Sequence, residues 1–521
     1  PIATPVVGAG PVVNLGYATY EGAVDPALNI TTFLGIRYAA PAIGNLRFRA
    51  PQPPAPVSGV QEAKTQPDQC WQTLVNGLAT TNPYRANPLN AREVSDVSSE
   101  DCLFLSVYYP SDAVGVPVGG LPTVVWIHTG GHVLYLWGSS SQYRGTDLIK
   151  QSNRGIVVVT IQYRLGLFGF LAGSAIKNNG TLNAGLLDQE FALRWVNKHI
   201  SKFGGDPSKV TIWGQSAGAG SVLQHVIANN GQTKPQLFRT AMTSSTFVPS
   251  QYHYNERIPE LIYSQVVAQT NCTSAADSLA CLRTADVAAL QNANAQISRS
   301  AFFETYTFAP VVDGEFIAQR PTQALAQGKV NGETLLSVLT AREGDIFVNA
   351  SVPASGNVKQ YALELFPNLG TAQAEKVGEL YADVGAPLDQ SAAVVGETIL
   401  VCPTYSLLHA FSGRAFTAKF AVPPGHHSMD LQYYFPSFAI ADPAFGFPTF
   451  FNDTAFINAF AQSFTAFAMS GDPNDKLSDT VTPRWETWDR VGRVEMVFGK
   501  TAGDKPHIYP ARTEHALLER C

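Results

Sequence analysis

The sequence has little charge and no long run of either sign. Of its 521 residues, 15% are Asp, Glu, Lys or Arg, well below the roughly 25% of an average soluble domain. The 35 Lys and Arg against 41 Asp and Glu give a formal net charge of −6. A mildly acidic chain without a basic stripe argues against a nucleic-acid partner. The low charge also excludes a charge-rich disordered chain, and 45% hydrophobic residues allow a sizeable packed core.

A long apolar segment is also missing. No uninterrupted apolar run reaches the roughly 18 residues that indicate a transmembrane helix, and the most apolar stretch, residues 155–176, is interrupted by Gln162 and Arg164. We therefore expect no transmembrane segment. The chain begins at Pro1 without a charged-then-apolar leader, so we expect that a signal peptide has been removed, although a trimmed chain would begin in the same way.

No Cys-x-x-Cys motif is present, which argues against a zinc or thioredoxin-like site. The number of cysteines is even, as a disulfide framework requires, and their positions are Cys70, Cys102, Cys272, Cys281, Cys402 and Cys521. Asn-x-Ser/Thr triplets supply glycosylation candidates at Asn29, Asn179, Asn271, Asn349 and Asn452. Together these features favour a secreted protein over a cytosolic one.

Short runs rich in Val, Ile, Leu and Thr predict buried strands, because runs without alternation suit a sheet that is covered on both faces. These runs are Thr123–Ile127, Ile156–Ile161, Val210–Trp213, Thr334–Thr340 and Phe416–Val422. Helical patterns at Asp188–Phe203 and Ser216–Asn229 lie between them. The alternation predicts an α/β fold with a large, mostly parallel central sheet and helices on both faces.

We expect one large domain over residues 1–521, because the chain has no internal repeat and no clear linker. The first 110 residues or so are rich in Pro and are expected to be irregular or antiparallel. Residues 250–330 carry Ala- and Gln-rich helical patterns and could form a cap over the sheet.

The strongest local signal is Val-Thr-Ile-Trp-Gly-Gln-Ser-Ala-Gly at residues 210–218. A buried strand leads into Gly214-x-Ser216-x-Gly218, and small residues then begin a helix. Such a strand-to-helix turn needs small neighbours around the serine, lifts its oxygen off the sheet and directs a helix N-terminus at it. The alternative is a chance match in a loop, but the flanking strand and helix favour Ser216 as a nucleophile.

A serine hydroxyl needs a base, and in this class of turn the chain order is Ser, acid, His. His426 and His427 follow a predicted strand, in a loop where an α/β sheet presents chemistry. The chain order leaves both histidines open. Glu343 comes first after the strand 334–340 and is the candidate acid, with a solvated surface carboxylate as the alternative.

An acyl-transfer enzyme must also stabilise an oxyanion, and unobstructed backbone N–H groups can do so. Gly130 and Gly131 follow a buried strand and could supply two such groups, with Ala217 at the turn supplying a third. An ordinary glycine-rich turn is the alternative for the Gly-Gly pair.

With these pieces in place, the sequence resembles the type-B carboxylesterase/lipase family, the cholinesterase-like branch of the α/β-hydrolases, and most of all its fungal secreted esterases. Phe33-Leu-Gly-Ile-Arg-Tyr-Ala-Ala-Pro and residues 46–51 resemble the N-terminal block of the family. Glu100-Asp-Cys-Leu-Phe-Leu-Ser-Val-Tyr resembles its second signature, and residues 185–218 resemble its first. The likeness covers most of the chain, with the motifs in the family order.

The resemblance implies a complete hydrolase site without metal or organic cofactor. In that site Ser216 is the nucleophile, Glu343 the acid and His427 the base, with Gly130, Gly131 and Ala217 as the oxyanion hole. His427 is preferred because His427-Ser-Met-Asp-Leu is similar to the family's His-Gly/Ser-x-Asp/Glu pattern. The resemblance also implies the disulfides Cys70–Cys102 and Cys272–Cys281, leaving Cys402–Cys521, and the ion pairs Arg47–Glu100 and Arg164–Asp188.

The sequence departs from the family pattern at several positions near the site. Gln215 replaces the usual Glu before the nucleophile, which removes a negative charge and disfavours cationic substrates such as choline esters. Thr129 replaces the first Gly of the usual triple, and His132 stands where Phe is usual. Trp71 lies at the wrong offset for a choline-stacking tryptophan.

The predicted function is hydrolysis of small-molecule carboxylic esters through an acyl-enzyme, with short to medium acyl chains. Residues 77–88, where lipases of the family carry a flap, are polar, whereas a lipid-facing flap should present an apolar face. The alternatives are an interfacial lipase or sterol esterase and, less favoured because the site residues are retained, a non-catalytic cholinesterase-like binding protein. The oligomeric state is not predicted.

Overall fold

The computed structural model describes residues 10–73, 98–111, 116–117, 119–133, 143–301, 305–348, 357–438 and 450–521. Its strands in chain order are β1 Val12–Asn14, β2 Thr19–Glu21, β3 Ala23–Asp25, β4 Ile30–Arg37, β5 Val60–Glu62, β6 Gln69–Cys70, β7 Ser98–Ser99, β8 Phe104–Pro110, β9 Leu121–Ile127, β10 Val157–Ile161, β11 Gly205–Gln215, β12 Thr240–Ser244, β13 Thr334–Thr340, β14 Ala415–Phe420, β15 Val494–Lys500 and β16 Pro506–Arg512.

The α-helices lie mainly between these strands. In chain order they are α1 Gly145–Gln151, α2 Gly166–Phe170, α3 Ser174–Asn179, α4 Ala184–His199, α5 Ala217–Gly231, α6 Arg257–Gln269, α7 Ser278–Thr284, α8 Val287–Ser300, α9 Pro321–Ala326, α10 Val358–Leu365, α11 Thr371–Leu380, α12 Pro387–Gly396, α13 Cys402–Ala410, α14 Leu431–Tyr434, α15 Thr454–Ser470 and α16 His515–Arg520. Short 3₁₀ turns lie at Gly44–Leu46, Ile200–Phe203 and Asp345–Phe347, and a π-helical turn at Glu397–Val401 joins α12 to α13.

Among the described residues, eleven strands form one sheet in the order β16-β15-β14-β13-β12-β11-β9-β10-β8-β4-β3. The central neighbours from β10 to β15 are parallel. The strands at one edge, β3, β4, β8 and β10, and the final strand β16 pair antiparallel. The sheet is therefore mostly parallel, as the sequence predicts.

Side chains along the central strands alternate between two hydrophobic cores. On β9, Val125 and Ile127 belong to one core, and Val124 and Trp126 belong to the other. Because successive side chains of a strand point to opposite faces, both faces of the sheet are covered. Each aliphatic side chain buried in this way contributes roughly 1.5–3 kcal/mol, which explains why these strands consist of unbroken apolar runs.

The five predicted strands correspond to β9, β10, β11, β13 and β14, with shifted ends. β11 is longer than predicted and runs to Gln215, directly before the serine of the turn. The sequence analysis does not predict β12, which pairs with β11 and β13 in the middle of the sheet. Helix α4 and the 3₁₀ turn after it cover the first predicted helix and begin earlier, at Ala184. Helix α5 corresponds to the second, although residues 228–230 depart from helical angles.

Within the segment expected to form a cap, residues 257–300 form helices α6, α7 and α8. The contact with the main body includes Asn294 of α8, whose Oδ1 accepts a hydrogen bond of 2.9 Å from the backbone N–H of Leu167. Near the N-terminus, β1 and β2 pair antiparallel, and β5 pairs parallel with β2 in a separate small sheet.

One stretch passes the length and composition test for a membrane span. Pro387–Ala410, which covers α12, the π-helical turn and α13, has a mean hydropathy of 1.4 in an 18-residue window, and 72% of that window is buried inside the fold. A helix buried to this extent is typical of a protein core. No other helix in the described ranges passes the test.

The covalent and ionic links that the family resemblance implies are present. The disulfides are Cys70–Cys102, Cys272–Cys281 and Cys402–Cys521. Arg47 pairs with Glu100 at 2.6 Å, and Arg164 pairs with Asp188 at 2.7 Å. The second pair is almost completely buried, so removing one partner would leave an uncompensated buried charge.

Several histidines are buried in this core. Burial lowers the pKa of His225 to about 3 and that of His128 to about 4. The Nε2 of His225 lies 3.0 Å from Oε1 of Gln189. An unfolded histidine titrates near pH 6.5, so below that pH the unfolded chain binds protons that the folded chain excludes. The free energy of unfolding must therefore fall as the pH falls below about 6.5.

We expect the variant His225→Gln to lose less stability in acid than the wild type. Each buried histidine of this kind contributes a slope of about 1.4 kcal/mol per pH unit between its unfolded and folded pKa values, and the glutamine cannot titrate. Urea unfolding at pH 7 and at mildly acidic pH measures the difference. His515→Gln is the matched control, because that side chain is 78% exposed. An equal acid loss in His225→Gln and wild type would contradict the argument.

Candidate active site

Five neighbouring parallel strands end at the same edge of the sheet and deliver side chains to one place. These strands are β14, β13, β12, β11 and β9 in spatial order. Ser216 follows β11, Glu343 follows β13 and His427 follows β14, while the loop with Gly130 and Gly131 follows β9. The carboxyl edge of a parallel sheet is where such folds present their chemistry.

The turn at Ser216 is sharp, and steric crowding explains the glycines around it. Ser216 has φ 54° and ψ −120°, a conformation that is uncommon for a residue with a side chain. A Cβ atom on Gly218 would fall 2.0 Å from the carbonyl oxygen of Ile127, and one on Gly214 would fall 2.3 Å from the carbonyl carbon of Gly218. Helix α5 therefore lies against β9 at a distance that only glycine allows.

Glu343 and His427 are in direct contact. The Nδ1 of His427 lies 2.6 Å from Oε2 of Glu343 across 84 residues of sequence, and both side chains are buried. The other carboxylate oxygen, Oε1, accepts hydrogen bonds from the hydroxyl of Ser245 and the backbone N–H of Thr340, each at 2.7 Å. The carboxylate is thus fully hydrogen-bonded, as a buried charged group must be.

The turn that carries Glu343 packs tightly against helix α12. A Cβ atom on Gly344 would fall 1.7 Å from the carbonyl oxygen of Ala392, and one on Gly396 would fall 2.6 Å from the backbone nitrogen of Gly344. The two glycines let the backbones approach closely, and this approach fixes where the acid lies.

The second ring nitrogen of His427 faces the turn. Its Nε2 lies 3.3 Å from Nε2 of Gln215, the residue that immediately precedes Ser216. In the described part of the chain, no hydrogen bond joins the hydroxyl of Ser216 to this ring. Bonds between nucleophile and base are often long before substrate binds and tighten in the reactive complex. The structure therefore joins the imidazole to the carboxylate and places Ser216 beside a residue that contacts the imidazole.

The loop after β9 has the backbone form expected of an anion-binding turn. Gly130 and Gly131 have φ values of 111° and 63°, which glycine adopts without strain. Among the described residues, the N–H groups of Gly130, Gly131 and Ala217 make no hydrogen bond. That of Ala217 is the first of helix α5, where the helix dipole favours negative charge.

His132 follows the two glycines and has a positive φ of 62°. Burial lowers its pKa to about 3, so it is neutral at ordinary pH. Its ring packs 4.9 Å from that of Phe170 and 6.1 Å from that of Phe247. The side chain therefore takes the place of an aromatic residue beside the loop and adds no charge.

A second carboxyl group lies close to the His427–Glu343 pair. Asp430 is completely buried, and neither carboxyl oxygen lies within ordinary hydrogen-bond geometry of a donor among the described residues. Its own backbone N–H and the hydroxyl of Tyr434 favour the anion only weakly. Burial, with a smaller contribution from the negative charge of Glu343, raises the pKa of Asp430 to about 7. Near neutral pH the carboxyl group of Asp430 is therefore only partly ionised.

Sequence reasoning did not identify Ser245 or Asp430 as part of this site. Ser245 follows β12, a strand of five residues that is less apolar than its neighbours, and its contact with Glu343 bridges 98 residues. The Asp of the pattern His427-Ser-Met-Asp was noted only to choose between two histidines. Within the described ranges, no group of three or more His, Cys, Asp or Glu side chains could hold a metal ion.

The sheet, the turn and the buried His–Glu pair are the arrangement of a serine hydrolase with the α/β-hydrolase fold. Residues 9–498 match the sequence model of the Carboxylesterase family. The chain belongs to the carboxylesterase family, and its activity is the hydrolysis of carboxylic esters. The resemblance found in the sequence is thereby confirmed.

Individual relatives agree with this assignment. The chain is 29% identical over 484 residues to "Carboxylesterase patB" of Aspergillus clavatus, covering 83% of this chain and 84% of that protein. It is 33% identical over 382 residues to "Secreted lipase 1" of Botryotinia fuckeliana, covering 69% and 64%. The crystal structure of Aspergillus niger EstA superposes with a TM-score of 0.82 at 30% identity and covers 98% of this chain and 97% of that one.

Proposed function

We propose that Ser216, Glu343 and His427 form the catalytic triad of this ester hydrolase. The observation that supports the proposal is the 2.6 Å contact between Nδ1 of His427 and Oε2 of Glu343. A carboxylate at Nδ1 holds the ring proton there, so the lone pair that a base needs is on Nε2. That nitrogen is on the side of the ring that faces the residue before Ser216.

In the acylation step, Oγ of Ser216 forms a bond to the ester carbonyl carbon, and its proton moves to Nε2 of His427. The tetrahedral intermediate then breaks the bond to the alcohol oxygen, and the imidazolium returns the proton to the departing alcohol. Glu343 stabilises the imidazolium and keeps the ring in orientation. The acyl group is left as an ester of Ser216.

Deacylation repeats these steps with water as the nucleophile. His427 takes a proton from water, the hydroxyl attacks the acyl carbon, and the proton passes to Oγ of Ser216 as the acid departs. In both steps the N–H groups of Gly130, Gly131 and Ala217 are the proposed oxyanion donors. Removing one such donor typically lowers kcat about 10²- to 10³-fold.

We expect Ser216→Ala to lower kcat/KM by about 10⁴-fold or more, because the acyl-enzyme cannot form without Oγ. Hydrolysis of 4-nitrophenyl butyrate measures the loss. A fluorophosphonate probe should label Ser216 in the wild type and should not label the variant. The exposed Ser264 on helix α6 supplies the control, Ser264→Ala, which should keep both activity and labelling. Near-wild-type turnover by folded Ser216→Ala would refute the assignment.

The proposed substrates carry short to medium acyl chains. Tyr306 lies against the oxyanion loop, since a Cβ atom on Gly131 would fall 2.2 Å from its Cε1, and its ring packs edge-on at 4.6 Å against Phe247. A largely apolar cleft of about 60 Å³ adjoins Tyr306 and is also lined by Leu365 and Ile399. Pockets that bind larger ligands have volumes of roughly several hundred cubic ångströms, so this cleft is small in comparison.

Residues 77–88, whose polarity also favours this substrate class, lie outside the described residues. An interfacial lipase is the second candidate, because a relative is named a secreted lipase. The two candidates differ in how activity depends on acyl length and on the physical state of the substrate.

For the proposed esterase we expect kcat/KM to be at least about tenfold higher for 4-nitrophenyl butyrate than for the palmitate ester, because a small cleft excludes surplus methylenes. Activity on tributyrin should saturate smoothly, without a jump when the substrate passes its solubility limit. A jump at that limit, together with a preference for long chains, would establish the lipase instead.

Secretion is also part of the proposal. Three disulfides suit an oxidising compartment. Among the glycosylation candidates, Asn349 lies outside the described residues, and the exposed ones are Asn29, Asn179, Asn271 and Asn452. Expression of the native gene in a fungal host should yield the enzyme in the culture medium, with a mass that decreases on treatment with an endoglycosidase. Retention inside the cells would contradict secretion.

A further inference from the structure

The residue before the proposed nucleophile contacts the proposed base. The Nε2 of Gln215 lies 3.3 Å from Nε2 of His427 and 2.8 Å from Oγ of Ser428. Gln215 is fully buried, and its backbone is the last residue of strand β11. The amide is therefore held between the imidazole and the hydroxyl of Ser428, on the edge of the ring opposite Glu343.

This contact suits the form of the ring that a base requires. An amide nitrogen carries two N–H donors and no acceptor, so it pairs with Nε2 of His427 only while that nitrogen is unprotonated. The ring proton is then on Nδ1, where it meets Glu343 at 2.6 Å. After proton transfer, a half-turn of the amide would present Oε1 to the imidazolium, because the Ser428 hydroxyl can donate as well as accept. Gln215 adds no charge in either state.

One carboxyl group contacts the imidazole, and a second is buried nearby. Glu343 contacts Nδ1, and Asp430 lies buried nearby, where its negative form interacts with His427. Each negative charge there favours the protonated ring, which cannot act as a base. Because burial raises the pKa of Asp430 to about 7, its charge is present mainly above neutral pH.

The remaining charged groups of this loop form a separate cluster. Asp345 pairs with Arg342 and lies 3.4 Å from Nε2 of His426. The ring of Phe347 packs against the ring of His427 with 5.1 Å between centroids and carries no charge. Gln215 contacts the Nε2 edge of the ring directly, so a substitution at this position can place a charge beside that nitrogen.

We propose that Gln215 is a positioning residue that holds the Nε2 edge of His427 without placing a negative charge beside it. The proposal rests on the assignment of His427 as the general base. A carboxylate in place of the amide would lie beside the protonated nitrogen and stabilise it, which typically moves such a titration by about one to three pH units. The chain would then lose activity at a higher pH.

The test compares pH profiles of kcat/KM for a neutral ester, 4-nitrophenyl butyrate, whose acid limb reports protonation of the base in the free enzyme. In Gln215→Glu we expect the midpoint of this limb to move to higher pH by about one unit or more. In Gln215→Met, which adds no charge but loses the donor, the midpoint should stay within about half a unit. There kcat should fall about tenfold with little change in KM, because the ring is held less well.

Gln224→Glu is the matched control. The substitution makes the same change of charge, but on helix α5, where Gln224 donates its own hydrogen bond to Gln251 at 2.9 Å. Gln224 lies eight residues after Ser216, about 12 Å along the helix. The acid limb of the Gln224→Glu enzyme should therefore coincide with that of the wild type. Folding of each variant is checked by its melting temperature.

Two outcomes overturn the inference. One is a folded Gln215→Glu enzyme whose acid limb has the wild-type midpoint. The other is a shift of that midpoint in Gln224→Glu equal to the shift in Gln215→Glu. Loss of activity in Ser216→Ala with an unmoved limb in Gln215→Glu would leave the triad in place and remove only the role of Gln215. Retained activity in Ser216→Ala would remove both.

Discussion

The site depends on how closely helix α5 lies against strand β9. A single Cβ atom at Gly218 would overlap the carbonyl oxygen of Ile127, at 2.0 Å. With hydrogen there instead, the chain can reverse at Ser216 and start the helix beneath the loop that follows β9. The start of α5 is thereby held against the end of β9, directly before the loop that carries Gly130 and Gly131. One steric constraint on the backbone thus brings the proposed nucleophile, Ser216, close to the loop proposed to bind the oxyanion.

The two buried carboxyl groups show how hydrogen bonds decide charge in this interior. Glu343 receives an O–H, a backbone N–H and an imidazole N–H, which replace the water that a carboxylate loses on burial. The carboxyl oxygens of Asp430 have no donor in ordinary hydrogen-bond geometry among the described residues. The weaker influence of its own backbone N–H and of the Tyr434 hydroxyl does not offset burial, which raises the pKa of Asp430 to about 7. The same functional group therefore has three hydrogen-bond partners at one position, and its pKa is raised by burial at another, three residues from His427.

The parts of the site that a sequence can predict are those whose structure is local. The strand, the glycines and the small residues after Ser216 all lie within a dozen positions, so their physical requirements are visible in the sequence itself. The choice between His426 and His427 is not local, and it depended on a family resemblance. In the structure the two adjacent residues face different acids, His427 toward Glu343 and His426 toward Asp345.

The missed residues show why the rest could not be predicted. Ser245 reaches Glu343 only because β12 pairs with β13 in parallel, with Ser244 beside Val338, a register that no local pattern specifies. The contact of Gln215 with His427 bridges 212 residues and depends on the end of β14 lying three strands along the sheet from β11. The departure of Gln215 from the family pattern can be seen in the sequence, but its contact with His427 can be seen only in the folded sheet.

The proposed catalytic groups and the proposed acyl cleft come from different parts of the fold. The residues proposed as nucleophile, acid, base and oxyanion donors all follow strands whose mutual positions are fixed by the sheet ladder. The cleft beside Tyr306 is built from segments outside that ladder, including helix α10 and the π-helical turn before α13. Changes in those segments can reshape the cleft without moving the strand ends. The relatives named carboxylesterase in one case and lipase in another are consistent with a shared sheet combined with variable segments around it.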